Sequence, residues 1–418
     1  MGRFLMAEEN FRTITGEDKI FGINKKAKEM IEKVGKENVA NATVGSLLDE
    51  EGNLVVLSSV VEVLKDLNPL DYAEYAPIAG LPKFLESVKK AVFMDYEPEG
   101  YIEAVATPGG TGAIRNTIQN YTKRGDTILT SDWYWSPYKT ITQELERKLD
   151  TYTLFDDNNN FNHAAFENKL TEVMTQQDRI VVIINTPSHN PTGYSLTLKD
   201  WDNVINAAKK IASDKTKKIV LLVDIAYIDF AGNAKESREF LSKLTNLPEN
   251  ILPLISYSMS KSFTLYGMRG GALICMSPNK EITDEFKLVN SFSCRASWSN
   301  CNRSAMITLS SIYEDASLLN KVVKEREVAQ TMLLSRGKAF MDEAEKIGLS
   351  TCPYDAGFFI IVTCENPEAV SEELFKDGIF TVPFDNRGLR ISIASISKPW
   401  CSLLPEKIDK AIKKVNAK

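Results

Sequence analysis

The chain has 418 residues, of which 43% are hydrophobic and 25% charged, and its formal net charge at neutral pH is −6. This length suits two domains, and the acidic balance argues against a surface for nucleic acid, which needs an excess of cations. No stretch approaches the roughly 20 apolar residues of a membrane span, and the first residues lack the apolar core of a signal peptide. We therefore expect a cytoplasmic protein that binds neither nucleic acid nor a membrane.

Six cysteines and two histidines limit the chemistry that the chain can perform. No two cysteines form a CxxC pair, so we expect no zinc site and no bound metal. A Ser–His–Asp hydrolase or a histidine-rich metal site would have to rest on His163 or His189. We expect chemistry that relies on Lys, Asp, Tyr and Arg side chains instead.

Short apolar runs alternate with helical stretches through the middle of the chain. Several runs are continuous and rich in Val and Ile, as expected for strands buried on both faces of a mainly parallel sheet. Helical stretches such as Gly112–Thr122 and Leu198–Ala212 lie between them, which indicates an α/β layer fold. The predicted strands are Ala104–Thr107, Thr127–Thr130, Ile180–Asn185, Ile219–Asp224, Ile251–Tyr257 and Gly271–Met276.

The C-terminal part has a different pattern, which indicates a smaller α+β domain. Its predicted elements are a long charged helix over roughly Ser311–Ile347, strands at Phe358–Thr363 and Leu389–Ile393, and a final helix at Glu406–Val415. We place a large domain at residues 55–300 and the small domain at residues 301–418. The N-terminal segment, residues 1–54, is expected to pack with the small domain.

A glycine-rich turn follows the first predicted strand. Its sequence, Pro108-Gly109-Gly110-Thr111-Gly112, leads directly into a predicted helix. Small residues let backbone N–H groups approach an anion, and the N-terminus of a helix favours negative charge. The turn is a candidate phosphate cradle, although many strand-to-helix turns have this composition and bind nothing.

Two further predicted strands are followed by polar side chains. Asn190, in His-Asn-Pro-Thr-Gly, is a candidate donor to a ligand, and the alternative is an ordinary turn rich in Pro, Asn and Gly. Asp224 ends the next strand, where a buried carboxylate needs a cationic partner unless it only caps a helix. Because open α/β sheets bind ligands at the carboxyl ends of their strands, both side chains are expected at one site.

The strand Ile251–Tyr257 is followed by a lysine in a polar setting. Lys261 comes three residues after Ser258, and hydroxyl and phenol side chains separate it from Arg269. A lysine near a second cation can have a depressed pKa and act as a Schiff-base amine. Most lysines are merely solvated, so the prediction depends on the surrounding residues.

Taken together, the motifs resemble the fold-type I pyridoxal-phosphate enzymes, specifically the class I/II aminotransferases of the aspartate/aromatic group. The resemblance covers nearly the whole chain. It depends on Ser-x-x-Lys-x7-Arg-x-Gly around Lys261, Asn-Pro-Thr-Gly at Asn190, and Asp-x-Ala-Tyr from Asp224 to Tyr227. It implies the pyridoxal-phosphate-dependent transferase fold, with a mainly parallel seven-stranded sheet in the large domain.

The resemblance also implies roles for individual residues. Lys261 would carry the cofactor and shuttle protons, and Asp224 would keep the cofactor's ring nitrogen protonated. Tyr227 and Asn190 would hydrogen-bond the phenolic oxygen of the ring, with Tyr227 counted in the catalytic set. The phosphate would be bound by Gly109, Gly110, Thr111, Ser258 and Arg269.

Substrate contacts and a second subunit follow from the same resemblance. Arg390 resembles the arginine that pairs with the substrate's α-carboxylate, and Gly45 resembles part of the loop that closes over the substrate. Asn190 would contact the substrate as well. Tyr75 resembles a tyrosine that reaches the neighbouring subunit's cofactor phosphate. Arg295 resembles an arginine that binds a side-chain carboxylate in the neighbour's site, unless it makes an ordinary surface salt bridge. A homodimer with shared active sites is therefore expected.

The aromatic run Trp133-Tyr134-Trp135 departs from the aspartate aminotransferase pattern. Trp135 resembles the aromatic that stacks on the cofactor ring, with Tyr134 as its substitute, and at least one of the three is expected to be core packing. That group usually has Pro two residues before the stacking aromatic and an Asn-His pair after it. Here Trp133 and Pro137-Tyr138 stand instead, so the histidine that supports the aspartate is missing, and whether Tyr138 replaces it is open.

We expect an aminotransferase that moves the amino group of an L-amino acid, aspartate or an aromatic one, to 2-oxoglutarate by a ping-pong reaction. A lyase or decarboxylase of the same fold shares nearly all of these motifs and stays open as the alternative. A non-catalytic cofactor-binding regulator is more remote, because such regulators carry a basic DNA-binding extension, which is not expected here. A dinucleotide dehydrogenase is excluded because Pro108–Gly112 is not a GxGxxG motif.

Overall fold

The computed structural model describes residues 6–7, 10–13 and 18–417 of the chain. Its strands are β1 Ala40–Asn41, β2 Tyr101–Pro108, β3 Thr127–Ser131, β4 Lys148–Tyr152, β5 Arg179–Asn185, β6 Lys218–Asp224, β7 Ile251–Ser258, β8 Gly270–Ser277, β9 Phe359–Thr363, β10 Ile379–Phe380, β11 Val382–Phe384 and β12 Gly388–Ser392. Seven of them form one sheet in the order β2-β8-β7-β6-β5-β3-β4. All pairs in this sheet are parallel except those of β8, which is antiparallel to both of its neighbours.

Helices connect these strands and cover the sheet. They are α1 Lys19–Val34, α2 Ser58–Lys65, α3 Pro69–Ala73, α4 Pro82–Phe93, α5 Gly109–Tyr121, α6 Pro137–Glu144, α7 His163–Gln176, α8 Leu198–Ala212, α9 Met259–Ser262, α10 Lys280–Ser297, α11 Arg303–Glu314, α12 Ala316–Ile347, α13 Pro367–Phe375 and α14 Lys398–Asn416. Among the described residues, no helix combines the length and the apolar character needed to cross a membrane.

The central strands are buried on both faces. Along β6, Val220 and Leu222 belong to one hydrophobic cluster, whereas Leu221 and Val223 belong to another. Since successive side chains of a strand point to opposite faces, the two clusters lie on opposite sides of the sheet. This arrangement confirms the predicted α/β class and explains why these strands are continuous apolar runs.

The edge strand β4 is not predicted from the sequence, because it contains no apolar run. Its sequence, Lys-Leu-Asp-Thr-Tyr, mixes polar and apolar residues, and only Tyr152 is buried. The strand pairs with β3 alone. With one neighbour and partial exposure, β4 does not need the apolar composition of a central strand.

The C-terminal part contains the antiparallel sheet β11-β12-β9. The N-terminal segment joins this part through β1, which pairs in parallel with β10 at Ala40 and Ile379. Residues 1–5, 8–9 and 14–17 of that segment lie outside the described residues. The division into residues 1–54, 55–300 and 301–418 stays a prediction.

The single long helix predicted over Ser311–Ile347 is wrong, because two helices occupy this range. α11 ends at Glu314, and α12 starts at Ala316 after the extended residue Asp315. The Asp315 carboxylate accepts hydrogen bonds from the backbone N–H groups of Ser317 and Leu318. An aspartate N-cap of this kind starts a new helix within a continuous helical pattern.

Candidate active site

The carboxyl ends of β2, β5, β6 and β7 meet at one edge of the sheet and border a cleft. Gly109 adjoins this cleft, and Tyr75 does not line it. Nine of the residues predicted to bind a cofactor line it: Gly110, Thr111, Trp135, Asn190, Asp224, Tyr227, Ser258, Lys261 and Arg269. The fold therefore brings together side chains that are up to 159 positions apart in the sequence, from Gly110 to Arg269.

Lys261 lies on the short helix α9, directly after β7. Its Nζ atom donates a 2.6 Å hydrogen bond to the Gly45 carbonyl oxygen and lies 4.6 Å from the centre of the Tyr266 ring. Burial, together with the nearby charges of Arg269 and Arg390, lowers the pKa of Lys261 to about 7. A large fraction of the amine is therefore uncharged and nucleophilic at neutral pH.

Asp224 ends β6 and is buried, with 5% of its surface exposed. Tyr138 donates a 2.7 Å hydrogen bond to Oδ2, and the Ala226 N–H donates a 3.2 Å bond to Oδ1. No cation within the described part of the chain forms an ion pair with it, and burial raises the pKa of Asp224 to about 6. The site offers a carboxylate that a cationic ligand atom would stabilise.

Asn190 and Tyr227 lie side by side next to this carboxylate. Asn190 Nδ2 donates a 3.3 Å hydrogen bond to the Tyr227 hydroxyl, and its Oδ1 is buried without a partner in the described structure. The Asn190 N–H donates to Asn185 Oδ1, and Asn185 Nδ2 donates to the Asp224 carbonyl oxygen. Burial raises the pKa of Tyr227, so its phenol stays a hydrogen-bond donor.

The glycine-rich turn forms a cradle under Arg269. Helix α5 begins at Gly109, whose backbone has φ of +69°, and a Cβ there would lie 2.6 Å from Arg269 Nη2. The Arg269 guanidinium donates hydrogen bonds to Ser260 Oγ, to the Tyr266 carbonyl and to the Pro108 carbonyl. No described carboxylate pairs with this guanidinium, and its position beside the N-terminus of a 13-residue helix suits it to bind a phosphate.

The three aromatic residues after β3 have different surroundings. Trp135 lines the cleft, and its ring lies edge-on to that of Tyr138. Trp133 is buried, 5.0 Å from the Phe384 ring and 4.1 Å from the Arg387 guanidinium, which is a packing role. Tyr134 lines a second cleft together with Trp135.

Arg390 lies on β12 and lines this second cleft, which shares Asn190 and Trp135 with the first. The guanidinium is buried, donates a 2.7 Å hydrogen bond to the Thr43 carbonyl, and lies 4.6 Å from the centre of the Phe359 ring. Its Nε has no partner in the described structure. Burial lowers the pKa of Arg390 to about 10, so the charge is retained at neutral pH.

Tyr75 and Arg295 lie away from both clefts. The Tyr75 side chain is 87% exposed, and Arg295 is exposed on α10, where it donates a 2.6 Å hydrogen bond to Ser299 Oγ. An ion pair of Arg295 within the described chain is not observed. Neither side chain serves the site of its own chain in this arrangement.

Three residues of the site are not apparent from the sequence. Tyr266 lines the first cleft and accepts a hydrogen bond from the Leu47 N–H, Asn185 bridges Asn190 to Asp224, and Phe359 packs on Arg390. Of the three, Asn185 could most easily have been predicted from the sequence, because it ends β5 as Asp224 ends β6. The two residues are neighbours in the register of these strands. The other two depend on contacts between distant segments.

The residues present fit pyridoxal phosphate. Arg269 and the first turn of α5 match a phosphate, the depressed pKa of Lys261 matches an aldehyde-binding amine, and Asp224 matches a protonated ring nitrogen. Trp135 offers an aromatic wall between these groups. Among the described residues Asp224 has no cation and Arg269 no carboxylate as an ion-pair partner, and the ring nitrogen and phosphate of this cofactor would supply both.

Comparison with known proteins agrees with this site. The family Aminotransferase class I and II matches residues 37–408. A crystal structure of an aminotransferase from Anaerococcus prevotii is 38% identical and superimposes with a TM-score of 0.95 over 98% of this chain and 100% of that one.

Two named enzymes are more distant relatives. The tyrosine aminotransferase of Klebsiella pneumoniae is 24% identical over 73% of this chain and 77% of its own length. The mitochondrial aspartate aminotransferase of Arabidopsis thaliana is 27% identical over 74% of this chain and 71% of its own. With the family match over most of the chain and the site described above, this protein belongs to the class I and II aminotransferases and is a pyridoxal-phosphate-dependent enzyme.

Proposed function

We propose that this aminotransferase moves the amino group of an L-amino acid, aspartate or an aromatic one, to 2-oxoglutarate. The observation that carries the proposal is Arg390, a buried guanidinium with an unpartnered Nε in a cleft that adjoins Lys261's cleft through Asn190 and Trp135. A guanidinium binds a carboxylate by two parallel hydrogen bonds. Such a pair would hold the α-carboxylate of an amino acid with its amino group toward Lys261.

The residues of the site divide the chemical work. Pyridoxal phosphate, when bound, withdraws electron density from the substrate's α-carbon. Lys261 Nζ, with a pKa near 7, would accept the proton from that carbon and, as a general acid, deliver it to the carbon that takes up the amino group. Asp224 holds positive charge on the ring nitrogen, and Asn190 and Tyr227 position the phenolic oxygen. Arg269 and the first turn of α5 anchor the phosphate.

The same cleft would serve donor and acceptor in turn. Arg390 is the one arginine that lines the cleft among the described residues, and Lys19, which also lines it, is paired with Glu368. The cleft therefore offers one free guanidinium, which binds the α-carboxylate of one substrate at a time. The amino donor therefore leaves as a 2-oxo acid before the acceptor enters. This order predicts ping-pong kinetics.

The walls of the second cleft favour a substrate with an aromatic side chain, whereas Arg295 favours a substrate with an acidic side chain. Tyr134, Trp135 and Phe384 line the cleft and present apolar surface. Among the described residues no second arginine lines this cleft, and Lys19 there is paired with Glu368, so we propose that Arg295 of a neighbouring subunit binds the side-chain carboxylate of an acidic substrate. The two relatives described above act on tyrosine and on aspartate according to their names.

The direct test is a half-reaction. Protein loaded with pyridoxal phosphate is mixed with L-aspartate or L-tyrosine alone, and released 2-oxo acid and the cofactor's absorbance are followed. We expect one equivalent of 2-oxo acid per site, and renewed turnover with formation of glutamate once 2-oxoglutarate is added. Continuous product or ammonia release without an acceptor would instead establish a lyase. Lys261→Ala should stop the reaction in either case.

We also propose a homodimer whose subunits share their active sites. Leu288, Phe292 and Arg295 are exposed on one face of α10, with Leu288 at 71% and Phe292 at 77%, and Tyr75 is exposed as well. Large exposed apolar groups in one region mark a protein interface. A twofold interface there would place Tyr75 and Arg295 against the neighbour rather than in water.

Mixed dimers test whether the sites are shared. A heterodimer of one Lys261→Ala subunit and one Tyr75→Ala subunit has one site with both residues intact only if Tyr75 acts across the interface. We then expect about half of the wild-type activity per dimer, because one of two symmetric sites is complete. If Tyr75 acts within its own chain, the heterodimer stays no more active than the Tyr75→Ala protein.

We place the enzyme in the cytoplasm. All six cysteines are free, and five of them are buried. Free thiols are the normal state in a reducing compartment.

A further inference from the structure

Tyr138 is a buried residue beside the cofactor cleft to which the proposed reaction assigns no role. It lies on α6, has no exposed surface, and donates a 2.7 Å hydrogen bond to Asp224 Oδ2. The two residues are 86 positions apart in the sequence, so the contact depends on the packing of α6 against the end of β6. The Tyr138 hydroxyl therefore makes the hydrogen bond to Asp224 that the missing histidine would be expected to make.

Tyr138 also holds Trp135. The two rings lie edge to face, with centroids 5.5 Å apart and planes at 89°, which is a favoured aromatic geometry. The Tyr138 N–H donates a 2.9 Å hydrogen bond to the Trp135 carbonyl oxygen. One side chain therefore contacts both the carboxylate and the aromatic wall of the cleft.

The phenol is the one side-chain donor to Asp224 among the described residues. The register neighbours of Asp224 on β5 and β7 are Asn185 and Ser256, which are uncharged. The charge of Asp224 acts on the phenols of Tyr138 and Tyr227, and burial raises the pKa of both phenols. Tyr138 thus stays neutral, and it makes the carboxylate a weaker base without cancelling its charge.

We propose that Tyr138 is a positioning residue that fixes the Asp224 carboxylate and the Trp135 indole in one arrangement around the cofactor ring. The inference rests on the proposed function, in which Asp224 faces the ring nitrogen and Trp135 faces the ring plane. A carboxylate that already accepts a hydrogen bond competes less for the proton on the ring nitrogen. The phenol thereby takes over support of Asp224 in a chain that has no histidine at this position.

A double-mutant cycle tests the route through Asp224. The kcat and KM for the amino donor are measured for the wild type, Tyr138→Phe, Asp224→Asn and the double variant. We expect Tyr138→Phe to lower kcat about 10-fold to 100-fold, the effect of losing a hydrogen bond to a charged group, with KM nearly unchanged. In the Asp224→Asn background the same change should have little further effect.

The cofactor-free protein provides a second readout that does not depend on turnover. Urea midpoints are compared from pH 4 to pH 8 for Tyr138→Phe and for the same protein with Asp224→Asn. Removing the donor should move the Asp224 titration upward by about one pH unit relative to the wild type. Tyr227 does not titrate in this range, because burial raises its pKa.

A comparison of Tyr138→His with Tyr138→Phe separates the hydrogen bond to Asp224 from the packing against Trp135. Tyr138→His keeps an N–H donor and should recover part of the lost kcat, whereas Tyr138→Phe keeps the ring against Trp135 without the donor. The matched control is Tyr152→Phe, which removes a phenol oxygen from a buried ring that packs on Phe166 at 5.1 Å. The control should leave kcat and the pH profile unchanged.

The outcomes distinguish this inference from the function on which it rests. If Asp224→Asn lowers kcat while Tyr138→Phe does not, or if the two effects are additive, the role of Tyr138 is overturned and the proposed function stands. If Asp224→Asn leaves kcat unchanged, the proposed role of Asp224 fails and the inference fails with it. A non-additive cycle together with the upward pH shift establishes the role.

Discussion

Two buried aspartates, five residues apart, have opposite surroundings. Asp224 is 5% exposed and Asp229 is 7% exposed. Asp229 forms ion pairs with Arg238 at 2.7 Å and with Arg326 at 3.2 Å, and these charges lower its pKa to about 2. Asp224 has no ion-pair partner within the described residues, and burial raises its pKa to about 6.

This difference shows that burial of a charge does not by itself identify a functional residue. Asp229, with Arg238 and Arg326, joins the segment after β6 to the turn that carries Arg238 and to helix α12. Asp224 has the same burial without a cation, which is unfavourable unless a ligand supplies one. The carboxylate without a described counter-ion marks the site, and the ion-paired carboxylate stabilises the scaffold that holds it.

The largest expected effect is on activity, from Asp224→Asn. The amide keeps the shape of the side chain and removes the charge that would stabilise a cationic ring nitrogen. We expect kcat to fall about 1000-fold, the upper end of what removing one preorganised electrostatic group costs. Steady-state kinetics with saturating donor and acceptor measure this, with Asp202→Asn, an exposed aspartate on α8, as the control. Full activity would remove Asp224 from the proposed mechanism.

Asp229→Asn should have its main effect on stability. It leaves Arg238 and Arg326 without their shared carboxylate, and uncompensated buried charge lowers the free energy of unfolding by about 3 kcal/mol. Urea unfolding of the cofactor-free protein measures the change. The kcat of the folded variant should remain within a few-fold of the wild type. A variant as stable as the wild type would contradict the stabilising role of this network.

The pH dependence of the free energy of unfolding tests the raised pKa of Asp224. The folded pKa of Asp224, about 6, lies above its usual value of 3.8. Its stabilising contribution is therefore complete below pH 3.8 and is lost as the pH rises through 6. We expect the cofactor-free wild type to lose about 2–3 kcal/mol relative to Asp224→Asn between pH 4 and pH 8.

This measurement uses a difference because His189 and Lys261, whose pKa values are lowered by burial, change stability with pH in the sense opposite to Asp224. Burial lowers the pKa of His189 from 6.5 to about 3, so its contribution is present above 6.5 and is lost as the pH falls toward 3. The histidine and the lysine are common to both proteins, so their effects cancel in the comparison. Urea midpoints at each pH give the difference, and a flat profile would mean that Asp224 is not strained in the empty site.

The smallest expected effect is that of Arg326→Gln. Arg326 is partly exposed, and Asp229 keeps its shorter ion pair with Arg238 after the change. We expect a loss of about 1 kcal/mol in the free energy of unfolding, as for one charge-assisted hydrogen bond. A loss as large as that of Asp229→Asn would show that the second arginine is essential to the network.

Much of the fold and of the site was accessible from local sequence patterns. Helix α8 has the predicted bounds Leu198–Ala212, and the buried strands match the predicted runs to within one residue at each end, except that β2 begins three residues early, at Tyr101. Asp224 and Asn190 could be placed at strand ends because a polar residue after an apolar run is a local feature. The edge strand β4 and the break at Asp315 were missed because their signals are weak in composition.

The sequence by itself determined which groups are present: a lysine, an aspartate, an asparagine and an arginine, each after a strand that must be buried. Only the tertiary structure decided which of them have partners. Asp224 ends β6 and Asp229 comes five residues later, yet the two arginines that pair with Asp229 lie 9 and 97 positions away in the sequence, and no arginine of the described residues pairs with Asp224. The Tyr138 hydroxyl reaches Asp224 across 86 positions. Short segments of the sequence indicate which residues are buried and which periodicity they follow. The pairing of charges depends instead on contacts that form only when distant segments pack together.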